Sequence, residues 1–265
     1  MTLLHLIEFQ EKPPAHGGLI TDMQLIVDKI SRPLQTPVIR TRLRTMLGRS
    51  LASGTCTLIR GRAGTGKTTL AADFAGACDR RVAWYKVDAP DAELCVFFDY
   101  LAASIGQQRP SFNEHAIRSL ATGVRSAEIL LLSERLVFEL IKDESNPLLI
   151  VIEDLHLVCD TDWLVPFLDR FLQLVPPDVH ILITSRTLPP APLWRMRSKQ
   201  TLAVIDEVSL AFTREETEEL FESYGLSRQL AYQAFDRTNG RAGALAKYFD
   251  IFGKPPLERT PVAQG

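Results

Sequence analysis

The octapeptide GRAGTGKT at Gly61–Thr68 restricts what this chain can fold into more than any other feature. It fills every fixed position of the pattern G-x-x-x-x-G-K-[ST]. Its flanks agree with that pattern, since the β-rich run TCTLIR precedes it and the helix-forming run KTTLAADFAGA follows it. Glycines at 61, 64 and 66 let the backbone curl until its N–H groups converge, and the following helix adds the positive end of its dipole. The expected product is an anion nest for the phosphates of ATP or ADP, made by Gly61, Arg62, Ala63, Gly64, Thr65, Gly66, Lys67, Thr68 and Thr69. Lys67 is expected to bridge the β- and γ-phosphates, and the Thr68 hydroxyl to take one position on Mg²⁺. Arg60 and Arg62 flank the nest and read equally well as solvated cations.

The pattern of the remaining chain supplies the frame. RVAWYKV (Arg81–Val87) predicts a second strand, and Leu94, Phe97, Phe98, Leu101 and Ile105 recur along one face of a helix. Residues 107–123 are polar and read as irregular, after which a helix is expected over Ser126–Lys142. LLIVIED (Leu148–Asp154) reads as a buried strand ending in two acids. Leu164, Phe167, Leu168, Phe171, Leu172 and Val175 form another helical face, which Pro176 and Pro177 terminate before a strand over Val179–Thr184. Leu202–Ile205 can supply a fifth strand. Apolar strands alternating with helices predict an α/β fold, a parallel P-loop NTPase sheet covered by helices on both faces.

After Leu210 the signals are helical only. Thr213 and Glu216 have capping-box spacing, Gly225 sits at a helix stop, and helices are expected over Ser227–Arg237 and Ala242–Phe252. The expected organisation is an arm over residues 1–36 containing one short helix (Asp22–Ile30), a nucleotide-binding domain over 37–210, a small all-helical subdomain over 211–252 and a tail over 253–265.

Composition excludes several function classes. Thirty basic against thirty-two acidic residues leave a formal charge of −2, so no summed field favours nucleic acid or anionic lipid, and direct DNA binding is not expected. Cys56, Cys78, Cys95 and Cys159 are widely spaced within apolar runs, unlike a zinc knuckle or a disulfide framework. The N-terminus lacks a basic leader, and no apolar run reaches the length of a membrane span, so a cytoplasmic protein is expected.

Two further groups complete the candidate site. Glu153 and Asp154, at the end of the LLIVIED strand, read as a Walker B pair, with Glu153 on the metal side and Asp154 polarising water. Aspartate is commoner at the first position, and the extra methylene of Glu153 leaves open an exchange of roles between the two. Arg186 follows the strand over Val179–Thr184, where it reads equally as a surface cation or as a γ-phosphate contact. His156 reads as a packing or hydrogen-bonding residue, since no second His or Cys stands at metal spacing. No N-K-x-D motif is present, which makes adenine the default base.

With these residues in place, the chain resembles the nucleotide-binding module of the STAND class of signalling ATPases, in particular that of MalT and the large LuxR-type transcriptional activators. The resemblance is carried by SRPLQTPVIRTRLRTML (Ser31–Leu47), GRAGTGKTTL, VAWYKVDAPDAELCVFFDYLAASI (Val82–Ile105), VIEDLHLV, ITSRTLPPAPLWRMR (Ile183–Arg197), LAFTREETEELF and TNGRAGAL. It implies that Val38 and Arg40 lie near adenine, that Arg186 is the sensor-1 arginine, and that the helices after Leu210 close over the nucleotide. It also implies a regulatory switch with slow Mg²⁺-dependent hydrolysis, resting with ADP and associating with itself or with protein partners when ATP is bound. TNGRAGAL lacks the Gly-x-Pro through which several relatives touch adenine, so that contact is not implied. The winged-helix, sensor and helix-turn-helix domains of the large regulators would fall beyond this sequence. Two other readings remain open: a working AAA-type motor in which Arg195 or Arg197 reaches a neighbouring subunit, and a nucleotide binder that does not hydrolyse.

Overall fold

A computed structural model of the chain describes residues 25–34, 40–123, 128–142, 146–189 and 201–252. Its centre is a five-stranded sheet in the order β2-β3-β4-β1-β5, built from β1 (Cys56–Arg60), β2 (Arg81–Lys86), β3 (Leu148–Glu153), β4 (Val179–Ser185) and β5 (Leu202–Ile205). Every pairing is parallel. Pairing of Arg60 with Ser185 and of Ile152 with Ile183 brings the carboxyl ends of β1, β3 and β4 to one edge, side by side. Loops leaving that edge therefore share a crevice.

Period-two alternation sorts the strand side chains between two layers. Leu58, Tyr85, Ile150, Ile152 and Ile183 pack toward α3 (Leu94–Gly106), α4 (Glu114–Gly123), α5 (Ile129–Ile141) and α6 (Leu164–Leu174). Ile59, Trp84, Leu149, Val151 and Leu182 pack toward α1 (Thr41–Ser53) and α2 (Lys67–Ala77). Asp73 of α2 is buried and takes both ends of the Arg44 guanidinium from α1, which fixes the P-loop helix against its neighbour. After α7 (Glu207–Leu210), helices α8 (Arg214–Ser223), α9 (Arg228–Thr238) and α10 (Ala242–Phe252) gather around a cluster of their own, which includes Phe212, Phe221, Ala231 and Leu245.

Three local expectations differ from the structure. Residues 107–123, read as irregular, contain α4. Its buried stripe is only Ile117 and Ala121, too narrow to stand out among polar neighbours, and Asn113 caps it by accepting the Ala116 N–H. Among the described residues of the expected Asp22–Ile30 helix there is only one 3-10 turn, Val27–Ile30. Helix α1 was not expected; its inward face is Leu43, Leu47 and Ser50, where a serine interrupts the apolar periodicity.

That serine belongs to a buried polar chain. Ser50 Oγ and Thr57 Oγ1 share a hydrogen bond of 2.5 Å, Thr57 Oγ1 and His180 Nε2 share one of 2.8 Å, and His180 Nδ1 lies 3.0 Å from the Gly54 carbonyl. Burial pushes the His180 ring down to about 4, against the opposing pull of the Gly54 carbonyl. The unfolded chain takes up this proton near 6.5 and the folded one near 4, so stability is complete above 6.5 and falls as pH drops through that window. Urea unfolding between pH 7 and 4 should show a loss approaching ~3 kcal/mol from this group, and His180→Gln should flatten that part of the curve. The opposite layer is held by aromatic packing: Phe97 lies edge-on to Tyr85 at 5.2 Å and within 4.9 Å of Trp163, ring centre to ring centre. Phe97→Ala should cost about 3–5 kcal/mol in chemical denaturation, whereas truncating the exposed Leu130 should cost about 0.5 kcal/mol or less.

Candidate functional site

The loop between β1 and α2 has the backbone that its glycines predict. Gly64 and Gly66 are left-handed, with φ of 74° and 87°, a region that costs a side-chain-bearing residue energy. Gly61 is required for a different reason, because a Cβ there would stand 2.8 Å from Thr65 Oγ1. Thr65 Oγ1 in turn donates to the Arg62 carbonyl at 2.9 Å. Lys67, at the first turn of α2, is buried and donates to that same carbonyl at 3.1 Å. Burial lowers the basicity of Lys67; Asp154 opposes this, Arg186 adds to it, and Glu153 and Glu207 act as Asp154 does. Three acids and one arginine are thus felt at the lysine.

The acids of β3 end up in different environments. Glu153 is buried, with Oε1 accepting from the Thr68 hydroxyl, while Oε2 is shielded from solvent and has no hydrogen-bond partner among the described residues. Trp84 Nε1 approaches it from β2 but also stays outside hydrogen-bond geometry. Burial raises the pKa of Glu153; the Thr68 bond opposes this and the Asp154 charge adds to it. Asp154 is partly exposed and adopts a left-handed conformation with φ of 57°, its N–H donated to Thr184 Oγ1 of β4 at 3.0 Å. Arg186 follows β4 and is exposed, close enough to Lys67 and His156 to depress the basicity of both. His156 lies on the turn after Asp154, with Nδ1 3.7 Å from Asp154 Oδ1. Burial is the main cause of its lowered pKa.

The edge of the site nearest the helical region is built by residues that the strand and loop pattern does not single out. Arg241 donates to the Ala63 carbonyl at 2.9 Å, and the Gly243 N–H donates to the Gly64 carbonyl at 2.7 Å. The first turn of α10 therefore rests on the P-loop backbone itself. A Cβ at Gly243 would stand 2.9 Å from the Gly64 carbonyl oxygen, so only glycine permits this approach. Glu207 of α7 accepts from the Arg62 N–H at 3.2 Å and pairs with its guanidinium at 2.7 Å.

Arg40, which the resemblance set near adenine, directs its side chain to the start of the helical region. Its guanidinium is buried over the Phe212 ring at 3.9 Å and donates to the Leu210 and Ala211 carbonyls at 2.6 and 2.9 Å and to Glu216 at 2.7 Å. Arg42 joins the same carboxylate at 3.2 Å. Glu216 also closes the predicted capping box, accepting from the Thr213 N–H at 3.0 Å. Val38, Arg195 and Arg197 lie outside the described residues. Of the expected site residues described, the loop from Gly61 to Thr69, Glu153, Asp154 and Arg186 meet at one end of the sheet. Arg241, Gly243 and Glu207 were missed; the only signal in the sequence was the pair of glycines in TNGRAGAL.

The arrangement combines a curled glycine loop, one buried ammonium, a hydroxyl on a buried carboxylate, and a second carboxylate and an arginine at the ends of neighbouring strands. That donor set suits a polyphosphate with a hard divalent ion. The chain is 35% identical over 203 residues to the HTH-type transcriptional regulator MalT of Serratia proteamaculans (strain 568), covering 75% of this chain and 22% of that protein. It is 33% identical over 228 residues to MalT of Yersinia enterocolitica, covering 83% of this chain and 24% of that protein. It thus spans less than a quarter of the length of these relatives. Among solved structures, it shares the fold of a signal transduction ATPase with numerous domains (STAND) that carries a tetratricopeptide repeat sensor, from Pyrococcus horikoshii. That match has a TM-score of 0.50 and 17% identity over 80% of this chain and 30% of that one. Residues 39–184 match the AAA ATPase domain, and the chain belongs to that family.

Proposed function

We propose that the chain is the ATP- and ADP-binding switch module of a MalT-like transcriptional regulator, with slow Mg²⁺-dependent hydrolysis. The observation that carries this reading is the seating of α10 on the P-loop through Gly243 and Arg241. A module whose helical region touches the phosphate-binding backbone must register what that backbone holds. A ligand with different affinity for the seated and unseated arrangements shifts the balance between them. In this reading the amides from Gly61 to Thr69 and Lys67 hold the phosphates, the ammonium moving from the Arg62 carbonyl to phosphate oxygens. Thr68 and Glu153 hold the metal, which supplies charge neutralisation to the phosphates, and Asp154 orients water. Arg186 faces the terminal phosphate.

The metal fits the donors: Glu153 Oε2 has no hydrogen-bond partner among the described residues, and Mg²⁺ commonly takes few protein ligands beside phosphate and water. Val38 and the backbone of Arg40 are proposed to lie near adenine, while the Arg40 side chain holds the helical region to the nucleotide domain. ATP-dependent self-association or protein partners, no direct DNA binding by this chain, and a cytoplasmic setting belong to the same proposal. No described helix is long and apolar enough to cross a membrane.

Purified protein should release ADP on denaturation, and Lys67→Ala should weaken nucleotide affinity roughly 10- to 100-fold, the scale of a lost hydrogen bond to a charged group. Protein that is empty and does not bind added ATP with Mg²⁺ would exclude the nucleotide assignment. Gly243→Ala should displace the first turn of α10, giving faster ADP release and faster amide exchange over residues 242–252. Unchanged exchange and release would break the proposed coupling.

A further inference from the structure

We infer that a cleft at the amino edge of the sheet, opposite the P-loop, is a second anion site, one that takes the phosphate of a small organic phosphate monoester. The inference is independent of the nucleotide reading above. It begins from where the cations lie. Most of the described arginines pair with a carboxylate. Those without such a partner among the described residues gather chiefly in two places. Arg186 and Arg241 stand at the candidate nucleotide site, whereas Arg32, Arg80 and Arg81 line one cleft of about 540 Å³. No Asp or Glu is among the described residues lining that cleft.

The walls come from the turn Val27–Ile30 and the two residues after it, the carboxyl end of α2, the start of β2 and the residues that follow α3. Arg80 is half-buried, and its Nη1 donates to the Asp178 carbonyl at 2.8 Å and to the Leu148 carbonyl at 3.4 Å. Arg81 Nη1 donates to the Gln108 carbonyl. A guanidinium carries five N–H donors, so one anchored nitrogen leaves most of the fork for a ligand. Arg32 is exposed and makes no hydrogen bond or ion pair with any described residue. Two cations are thus held in place by carbonyls that do not neutralise them, and a third is available to close on what they hold. Keeping three like charges together costs energy that a bound anion returns. The carboxyl end of α2 brings the negative pole of its dipole, about half a charge, which three guanidiniums outweigh. Planar N–H forks match the oxygens of phosphate, and a doubly charged monoester suits three arginines and the Ser31 hydroxyl better than a single carboxylate does. Ile30, Val82 and Trp84 add apolar surface, and Gln107 and Gln108 add polar groups for the organic part. The volume falls in the range of about 300–1,000 Å³ usual for small-molecule sites.

The test is calorimetric titration of the full chain with a sugar ester, glucose 6-phosphate, and an aromatic one, phenyl phosphate. At least one should bind, and glucose and phenol should not. Arg32→Ala and Arg81→Ala should each weaken that binding about tenfold or more, the scale of a lost hydrogen bond to a charged group. Arg80→Lys, which keeps the charge and loses the fork, should weaken it too. Arg32 has no described partner to lose, so its variant is expected to fold as the wild type does. Lys67→Ala should leave the binding unchanged, because Lys67 begins α2 and the cleft lies at its other end, about 16 Å away. Cys78 lines the cleft, and its alkylation by iodoacetamide, read by mass spectrometry, should slow when the ester is present, in the wild type but not in Arg32→Ala. No binding and no protection of Cys78 at millimolar ester would overturn the proposal, whatever the protein does with ATP. Binding lost in Lys67→Ala and kept in Arg32→Ala would place the phosphate in the P-loop and overturn it as well. Inorganic phosphate bound as tightly as either ester, or citrate bound more tightly, would overturn the assignment to a phosphate monoester.

Discussion

The placement of β1 between β4 and β5, rather than beside β2, is the constraint on which the site depends. It makes the chain leave β1 and cross to the far edge of the sheet, and the helix that makes that crossing begins at Lys67. The turn before a crossover helix must be tight, so the curled glycine loop follows from the same geometry that keeps the sheet parallel. Because β3 and β4 occupy the positions on one side of β1, two acids and an arginine arrive there without any long-range loop. Of the four groups felt at Lys67, Glu153 ends β3, Asp154 and Arg186 directly follow β3 and β4, and Glu207 lies on α7.

The same edge meets the helical region through two layers of contact of different character. Arg40, Arg42 and Glu216 form a partly buried ion cluster that is also the cap of α8, so the start of that helix and its attachment to the nucleotide domain share one carboxylate. Burial opposes ionisation of Glu216, and the bonds from Arg42 and Arg40 outweigh it, leaving its pKa below the ordinary value. The seating of α10 on Gly64 is a backbone contact, and it lies directly on the loop. On the proposed function the first contact is a hinge and the second is the part that moves.

Much of the fold was legible because its signals were strong and local. The P-loop has fixed residues at fixed spacing, the strands are continuous apolar runs, and the Thr213–Glu216 capping box is a chemical pattern that does not depend on tertiary context. Helix α4 was hidden because two buried residues are enough to dock it. Helix α1 was hidden because Ser50 serves a buried hydrogen bond where the periodicity expects an apolar side chain. The seat of α10 was not legible, since it needs the knowledge that Gly64 and Gly243 face each other across 179 residues. For Arg40, the resemblance implied a place near adenine, and nothing in the sequence pointed to its guanidinium being taken up by Leu210, Ala211 and Glu216.

Glu153 is where the sequence departs from the usual aspartate, and the structure gives that departure a physical meaning. The longer side chain reaches α2, and its Oε1 takes the hydroxyl of Thr68, the other residue proposed to hold the metal. The two groups satisfy each other, and burial raises the pKa of the acid, against the pull of the Thr68 bond. Binding a divalent ion would then require an ionised Glu153 and a Thr68 hydroxyl turned away from it. On the proposed function, metal affinity would be reduced by whatever that rearrangement costs. A shorter aspartate would stand further from Thr68 and carry less of this penalty, so the extra methylene acts on the readiness of the site and not on its identity. That bias suits a module whose proposed role is to hold nucleotide for long periods and to turn it over slowly.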